Sequence, residues 1–329
     1  MKKRRSVWLY LALAAVLVFS LMAFVACTEP AHMHEYADGY CIMCGEKDPD
    51  YATSDEYFEF TYLTAKDSYS ITAKNVVNLP SKIVLPSKHE GKPVTSLGEN
   101  AFYYCSDLES IDIPSSVTYI DDHAFEYCSG LTSIEIPASV TYIGAYAFRY
   151  CSSLTDINVQ EGNKQYKSID GNLYSYDEKT LIQYAIGKKD KVFVIPSSVT
   201  TIGYYAFYSS NLTGVEIPSS VTSIGGYAFQ ECCALTSVEI PNSVTTICMA
   251  AFYNCIALKE VTFEEDSKLS SIQKEAFYGC TGLTGFNFNG TMAKWQAVTK
   301  GTNWNKDVPD GYKVYCQDGT LDRYNNQVA

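Results

Sequence analysis

The sequence predicts a β-rich solenoid of about 23-residue coils with short parallel strands, an inserted β-hairpin, and a cap at each end. The first observation is an Ala-Phe pair that occurs seven times from Ala101-Phe102 onward, at steps of 23, 23, 59, 22, 23 and 25 residues. The second is the segment L-x2-I-x-I-P after these pairs, whose alternation is typical of a short strand with one buried face. The third is coil size. Because so short a coil cannot bury its own apolar face, stacked neighbours must supply the core.

The first full coil shows how each element is predicted. Ile111 and Ile113 alternate with polar residues, which indicates a strand that points them inward. Pro114 ends that strand, since it has no N–H for the next ladder position. Val117 and Ile120 predict a second short extended piece, and Ala-Phe-x-x-Cys predicts a tight turn or a helical stub.

The complete repeat reads C-x2-L-x2-I-x-I-P-x2-V-x2-I-x3-A-F, which is a leucine-rich-repeat pattern. It closely resembles the BspA-like, or Treponema-type, family of bacterial surface lipoproteins over about residues 57–329. The resemblance implies a non-enzymatic, membrane-anchored cell-surface protein that binds an extracellular macromolecule, in adhesion or protein–protein interaction, through its solenoid surface. The alternatives are a structural, envelope-organising module and a glycan-binding protein.

The leader, residues 1–26, predicts export. Four basic residues, Lys2 to Arg5, precede a continuous apolar run from Val7 to Ala26. Ala23-Phe24-Val25-Ala26-Cys27 resembles a bacterial lipobox, with Phe24 in place of the usual Leu, so we expect cleavage before Cys27 and lipidation of that residue. The alternative is an uncleaved transmembrane helix, because twenty apolar residues can span a bilayer. Both hypotheses place the rest of the chain outside the cytoplasmic membrane, at the bacterial cell surface.

Residues 27–56 are predicted to be a polar tether that carries a possible metal motif. His32, His34, Cys41 and Cys44 read H-x-H-x6-C-x2-C, and two thiolates with two imidazoles can complete a tetrahedral zinc site. With all four positions filled by protein, such a zinc ion would be structural. The alternative is a spacer with a thiol pair or a disulfide, and the sequence indicates no other cofactor.

The rest of the chain divides around the repeats. Residues 57–100 are predicted to form the N-terminal cap, with two alternating strands and a first degenerate repeat, and residues 101–285 the leucine-rich-repeat solenoid. An insertion at about residues 159–193 predicts a β-hairpin, because two strand-like segments flank a short Asp-Glu-Lys connection. Residues 286–329 are predicted to form the C-terminal cap, in which Trp295 and Trp304 cover the last coil.

Most of the 12 cysteines belong to the repeat and not to a disulfide framework. Six occupy one repeat position, where a free thiol packs as a small hydrophobic group. Ser210 stands at the equivalent place in the fourth copy, which indicates that the position needs no disulfide. We therefore expect a buried column of structural thiols: Cys105, Cys128, Cys151, Cys232, Cys255 and Cys280.

The net charge of the chain argues against one class of binding partner. The formal net charge is −12, and removal of the basic leader leaves 21 basic and 37 acidic residues, or −16, which argues against nucleic acid as a partner. No catalytic constellation is evident, because no nucleophile stands in an activating context. Outward strand positions instead predict a concave polar stripe, which either binds a basic protein or a glycan or is simply the solvated face of a surface protein: Asp112, Glu135, Asp156, Glu216, Glu239 and Glu260. We expect a ladder of mostly threonines beside it, and many of the 27 tyrosines, to add to this surface.

Overall fold

The computed structural model describes residues 36–37, 40–41 and 52–328. The chain divides into two compact units, Met1–Ala52 and Thr53–Ala329. In the first unit, strand β1 (Tyr36–Ala37) pairs antiparallel with β2 (Tyr40–Cys41). All further elements belong to the second unit, which is a β-solenoid of about ten turns.

The second unit begins with a short 3-10 helix at Asp55–Tyr57, where the Ser54 hydroxyl accepts a hydrogen bond from the Glu56 amide and so caps its first turn. A second 3-10 helix spans Val76–Asn78. The strands of this N-terminal region are β3 (Phe58–Leu63), β4 (Ser68–Ala73), β5 (Lys82–Val84), β6 (Lys88–His89) and β7 (Lys92–Leu97). β3 and β4 pair antiparallel, and they correspond to the two alternating strands that the sequence predicts here.

Two alternating strand lengths dominate the repeats. In chain order the strands are β8 (Ser110–Asp112), β9 (Tyr119–Ile120), β10 (Ser133–Ile136), β11 (Tyr142–Ile143), β12 (Asp156–Val159), β13 (Tyr166–Ile169), β14 (Asn172–Ser175), β15 (Thr180–Gln183), β16 (Val192–Val194), β17 (Thr201–Ile202), β18 (Gly214–Glu216), β19 (Ser223–Ile224), β20 (Ser237–Ile240), β21 (Thr246–Ile247), β22 (Glu260–Phe263), β23 (Ser271–Ile272) and β24 (Gly285–Phe288). After them come the helix α1 (Met292–Ala297) and the strands β25 (Thr299–Lys300), β26 (Lys313–Cys316), β27 (Gly319–Leu321) and β28 (Gln327–Val328).

Equivalent strands of successive coils pair in parallel and form two faces. The long-strand face consists of β5, β8, β10, β12, β16, β18, β20, β22, β24 and β26. The short-strand face consists of β9, β11, β15, β17, β19, β21, β23 and β25. The prolines that the repeat pattern places after the longer strands lie just beyond the strand ends, as Pro137 does after β10. The predicted solenoid of short parallel strands is therefore confirmed.

The Ala-Phe-x-x-Cys segments are tight turns and not helical stubs. Each full coil contains two residues in the left-handed backbone region, one directly before the Ala-Phe pair and one directly before the cysteine position. In the coil around Phe148 they are Tyr146 and Tyr150, both with φ of 59°. A side chain in this region costs about 1 kcal/mol or more, so the stacking of the coils must hold these tyrosines there.

Stacked phenylalanines form the axis of the core. Phe229, Phe252 and Phe277 lie in successive coils with nearly parallel rings, at centroid distances of 5.1 and 5.2 Å. All three are fully buried. Because the repeat fixes the position of each ring, each full coil adds one large apolar side chain to a stack. The insertion separates the rings of Phe102, Phe125 and Phe148 from those of the later coils.

The insertion forms a three-stranded antiparallel sheet, and the predicted hairpin is its β14–β15 part. Strand β15 then joins the short-strand face through parallel pairing with β17. Tyr184 takes the place of a repeat phenylalanine, because its amide donates to the carbonyl of Ala206 as Phe207 donates to Ala228. Its ring lies 5.4 Å from that of Phe207. The insertion is therefore also a shortened coil of the solenoid.

The C-terminal cap closes the phenylalanine stack with tryptophans. Trp295 on α1 is 1% exposed and lies 5.5 Å from the ring of Phe286, and Trp304 lies 6.3 Å from Phe277. Strand β26 extends the long-strand face by parallel pairing with β24. Strands β27 and β28 continue it in antiparallel pairing. Both tryptophans lie at the end of the repeats, where the cap is predicted, and packing against phenylalanine leaves Trp295 no ring face for a ligand.

Candidate functional site

The long-strand face displays the carboxylates that the sequence singled out. The register of the strands sets them in two parallel columns. Asp112, Glu135, Glu216 and Glu239 share one column, because Glu135 pairs with Asn158, Val194 with Glu216, and Glu239 with Thr262. Asp156 and Glu260 lie in the neighbouring column, opposite Ser133 and Ser237.

The insertion divides these carboxylates into two acidic patches. Asn158 and the half-exposed Val194 interrupt the column between them, so the stripe is not continuous. The first patch contains Asp112, Glu135 and Asp156, and the second contains Glu216, Glu239 and Glu260. Each member of the second patch follows its counterpart by the same number of residues, so both have two carboxylates in one column and one in the next.

Within each patch, the carboxylates differ in how they are held. Thr155 donates a 2.8 Å hydrogen bond to Asp156, and Asn287 donates to Glu260, so these two carboxylates are fixed in place. Glu135, Glu216 and Glu239 are exposed. Each patch therefore has at least one exposed carboxylate beside one that is held by a hydrogen bond, which suits contact with basic side chains.

The threonine ladder beside the carboxylates has a structural role. Thr213, Thr236 and Thr284 each donate a hydroxyl hydrogen bond of 3.0 Å to a backbone carbonyl of the preceding coil. Their hydroxyls therefore fasten one coil to the next. The expectation that they add donors to a binding surface does not fit this geometry.

The cysteine column is buried and inert. Each thiol from Cys128 onward donates to the carbonyl of a phenylalanine in the preceding coil, as Cys255 does to Phe229 at 3.0 Å. Burial raises the pKa of Cys105 and of Cys232 to about 12. The cysteines of residues 52–328 are free, which agrees with the predicted column of structural thiols. A thiol held protonated is a poor nucleophile.

Tyrosines stack on the turns, on a different side from the acidic patches. Tyr104, Tyr127 and Tyr150 form one stack with centroid distances of 4.2 and 4.4 Å. The faces of these rings are occupied by one another, so the stack presents ring edges and hydroxyls to solvent. It supplies stiff amphipathic contact area, as the sequence indicated, but little free ring surface.

A charged cluster joins the coils on either side of the insertion. The Glu126 carboxylate, whose side chain is 4% exposed, accepts a 3.0 Å hydrogen bond from Arg149 and also contacts His123. Arg149 lies over the ring of Tyr208 at 4.4 Å and donates to its hydroxyl at 2.5 Å. Tyr150 and Glu231 extend the cluster through a 2.8 Å hydrogen bond.

The residues of this cluster are not among the candidate site residues predicted from the sequence, although the sequence contains a signal for them. Glu126 and Arg149 both follow an Ala-Phe pair, so the repeat alignment places opposite charges side by side in adjacent coils. Burial raises the pKa of the Tyr208 hydroxyl far above its ordinary value, which keeps it a neutral donor and acceptor. The cluster bridges a gap in the repeat.

The predicted anchor and metal residues lie mostly outside the described part. Cys27, His32, His34 and Cys44 are not among the described residues, and for Cys41 only its place in β2 is described. Across residues 36–37, 40–41 and 52–328, no group of three or more potential metal ligands occurs. Over the same ranges no helix has the length and apolarity to cross a membrane.

Comparison with known proteins gives a consistent result. The family described as BspA type leucine rich repeat region matches residues 80–187 and 184–299, in six copies. The chain is similar to the pneumococcal vaccine antigen PcpA, with 27% identity and a TM-score of 0.59 over 72% of the chain, and it spans 56% of that protein's crystallised chain. It is also similar to a T. pallidum leucine rich repeat protein, with 29% identity and a TM-score of 0.39, covering 71% of this chain and 91% of that one. No curated protein matches the chain.

Proposed function

Because this chain belongs to the BspA-type leucine rich repeat family, we propose that it is a membrane-anchored cell-surface protein that binds an extracellular macromolecule through its solenoid. The similarity to PcpA, which is described as a vaccine antigen, supports display outside the cell. The proposed anchor is a lipid on Cys27, and an uncleaved N-terminal helix is the alternative. Several acyl chains on one residue give lasting attachment to a membrane.

The matched acidic patches of the long-strand face carry the proposal that the ligand is a basic protein. Equivalent carboxylates recur in the same two columns on both sides of the insertion, and Glu135, Glu216 and Glu239 are exposed. The two patches lie on either side of the insertion, where the strands β12 and β16 do not pair with each other. A basic partner that contacts both patches gains from their combined field, which also accelerates its encounter with the protein.

Capture of a partner tests this proposal. The purified full chain, immobilised in mild detergent, is exposed to extracellular host proteins, and the captured proteins are identified by mass spectrometry. We expect replacement of Glu135, Glu216 and Glu239 by Gln to abolish most capture, since Gln keeps the shape of the side chain and removes its charge. Capture should also weaken as salt rises from 50 to 300 mM, because salt screens exposed charges over about 10 Å.

The matched control replaces three other exposed carboxylates, Glu59, Glu99 and Glu265, by Gln. Both triple variants change the net charge equally, so only the position of the charge differs. Loss of capture in both variants would indicate a general charge effect. Undiminished capture by the Glu135/Glu216/Glu239 variant would refute the acidic patches as the binding surface.

We propose binding and not catalysis as the activity, for two physical reasons. Burial raises the pKa of the column thiols, so none is an activated nucleophile. The imidazoles of His89 and His123 are each engaged by a carboxylate, Asp55 and Glu126 respectively. Among residues 52–328, neither imidazole is hydrogen-bonded to a Ser, Thr or Cys side chain, so neither forms a nucleophile–base pair.

A structural zinc ion in the tether remains a separate proposal. The ligands would be His32, His34, Cys41 and Cys44, which supply the nitrogen and sulfur donors that zinc prefers. Metal analysis of the purified full chain should give one zinc per chain, and replacement of Cys41 and Cys44 by Ser should remove it. A zinc content below one tenth per chain in the unaltered protein would refute the site.

A further inference from the structure

A groove lies where the short-strand face is interrupted by the insertion. One sheet of this face ends at β11, and the next begins with the strands of the insertion, β13 to β15. The groove between them has a volume of about 350 Å³, which is within the range of small-ligand sites. Ile143 and Phe148 form part of one wall, and Tyr146, Tyr204 and Tyr205 form its aromatic side.

Tyr204 is the most accessible aromatic residue of this groove. It is 67% exposed, while Tyr205 is held between the rings of Tyr146 and Tyr227 at 4.1 and 4.9 Å. The ring of Tyr204 rests over Gly226, because a Cβ there would lie 2.8 Å from it. The groove therefore combines a braced aromatic pair with one ring that a ligand can cover.

Three side chains supply polar groups to the same groove. Thr180 and Thr201 lie side by side in the register of β15 and β17. Threonines one position earlier, such as Thr200, donate a hydroxyl hydrogen bond to the preceding coil. The hydroxyls of Thr180 and Thr201, in contrast, form no hydrogen bond with the described residues. Gln183 donates its amide nitrogen to the carbonyl of Tyr184 at 2.9 Å, which leaves its side-chain oxygen as an acceptor.

Among residues 52–328, no charged residue lines the groove, in a chain of which 19% is charged. The outward strand positions next to it are also uncharged. They are Tyr142, Thr180, Thr201, Ser223 and Thr246. A charged ligand would lose hydration here and find no opposite charge. A ligand with an apolar face and several hydroxyls would find aromatic rings, hydroxyls and an amide oxygen.

We propose that this groove, together with the uncharged strand positions beside it, binds a neutral sugar unit of a glycan. The pyranose face would pack on Tyr204, and its hydroxyls would bond to Thr180, Thr201 and the oxygen of Gln183. The site is distinct from the acidic patches in position and in ligand chemistry. Either can therefore fail while the other holds.

Ligand-observed NMR with the full chain in mild detergent tests the proposal. The probes are three neutral hexasaccharides, maltohexaose, cellohexaose and mannohexaose, with anionic hexagalacturonate for comparison. We expect saturation transfer to at least one neutral probe and none to the anionic one. Tyr204→Ala and Thr201→Val should each weaken the binding, the first by about tenfold, which corresponds to about 1.4 kcal/mol.

Tyr324→Ala is the matched control, because Tyr324 is 74% exposed and distant in sequence from the groove. It should bind the probe as the unaltered chain does, and circular dichroism should show all variants equally folded. Absence of transfer to every neutral probe overturns the proposal, as does equal binding of the anionic one. A Tyr204→Ala variant that loses capture of a protein while no sugar binds would assign the groove to a protein partner instead.

Discussion

Replacement of Arg149 by Met should loosen the solenoid on both sides of the insertion. Arg149 belongs to the coil before the insertion, and Tyr208, to which it donates a hydrogen bond, belongs to the coil after it. Its other partner, Glu126, lies one coil earlier. Met preserves most of the apolar stem and removes the guanidinium, so the change isolates the charged and hydrogen-bonding part of the side chain.

The magnitude follows from the burial of each partner. Loss of one member of a buried ion pair costs about 3 to 5 kcal/mol. His123 still contacts the Glu126 carboxylate, and Arg149 is itself 24% exposed, so we expect the lower end, about 3 kcal/mol. Glu126→Gln should cost less, about 1 to 2 kcal/mol, because water can reach the remaining guanidinium. The double variant should then be more stable than the sum of the two changes predicts.

Hydrogen exchange measured by mass spectrometry is the suitable assay, since coils of a repeat protein open locally. Peptides from residues 123–150 and 205–231 should exchange about a hundredfold faster in Arg149→Met, because each 1.4 kcal/mol is a factor of ten. Peptides from residues 276–288 serve as the internal control. Faster exchange in residues 123–150 alone, with residues 205–231 unchanged, would refute the reasoning that this cluster joins the two sides.

Three further changes have defined outcomes. Burial raises the pKa of Cys105 and Cys232 from 9.0 to about 12. The contribution of these thiols to the free energy of unfolding is therefore complete below about pH 9 and is lost as the pH rises toward 12. Equal urea midpoints at pH 8 and 10.5 would contradict this. Ala250→Gly should leave the protein as stable or stabilise it by up to about 1 kcal/mol, because φ at Ala250 is 52°. Ala251→Gly, at the next residue, should destabilise the protein, and thermal melts of the two variants compare them. Cys27→Ala should release the protein from membranes, as fractionation and immunoblotting would detect; continued retention would favour the uncleaved helix.

The candidate sites were only partly predictable from the sequence. The repeat alignment correctly placed the six carboxylates at outward strand positions, because a period-2 strand fixes which side chains share a face. It did not indicate that Asn158 and Val194 divide them into two patches. The groove was not foreseen, since its walls come from a coil and an insertion whose relative position no local pattern encodes.

The repeat pattern in the sequence is sufficient to predict the internal structure of a coil. Seven Ala-Phe pairs in register set the spacing of the turns, the positions of the stacked phenylalanines and the thiol column, because identical segments stack with identical contacts. The contacts formed where the repeat is broken can be read only from the folded structure. There Tyr184 replaces a phenylalanine, Arg149 bridges to Tyr208, and the short-strand face opens into a groove. These contacts join segments that follow no common period, so they depend on the packing of the whole solenoid.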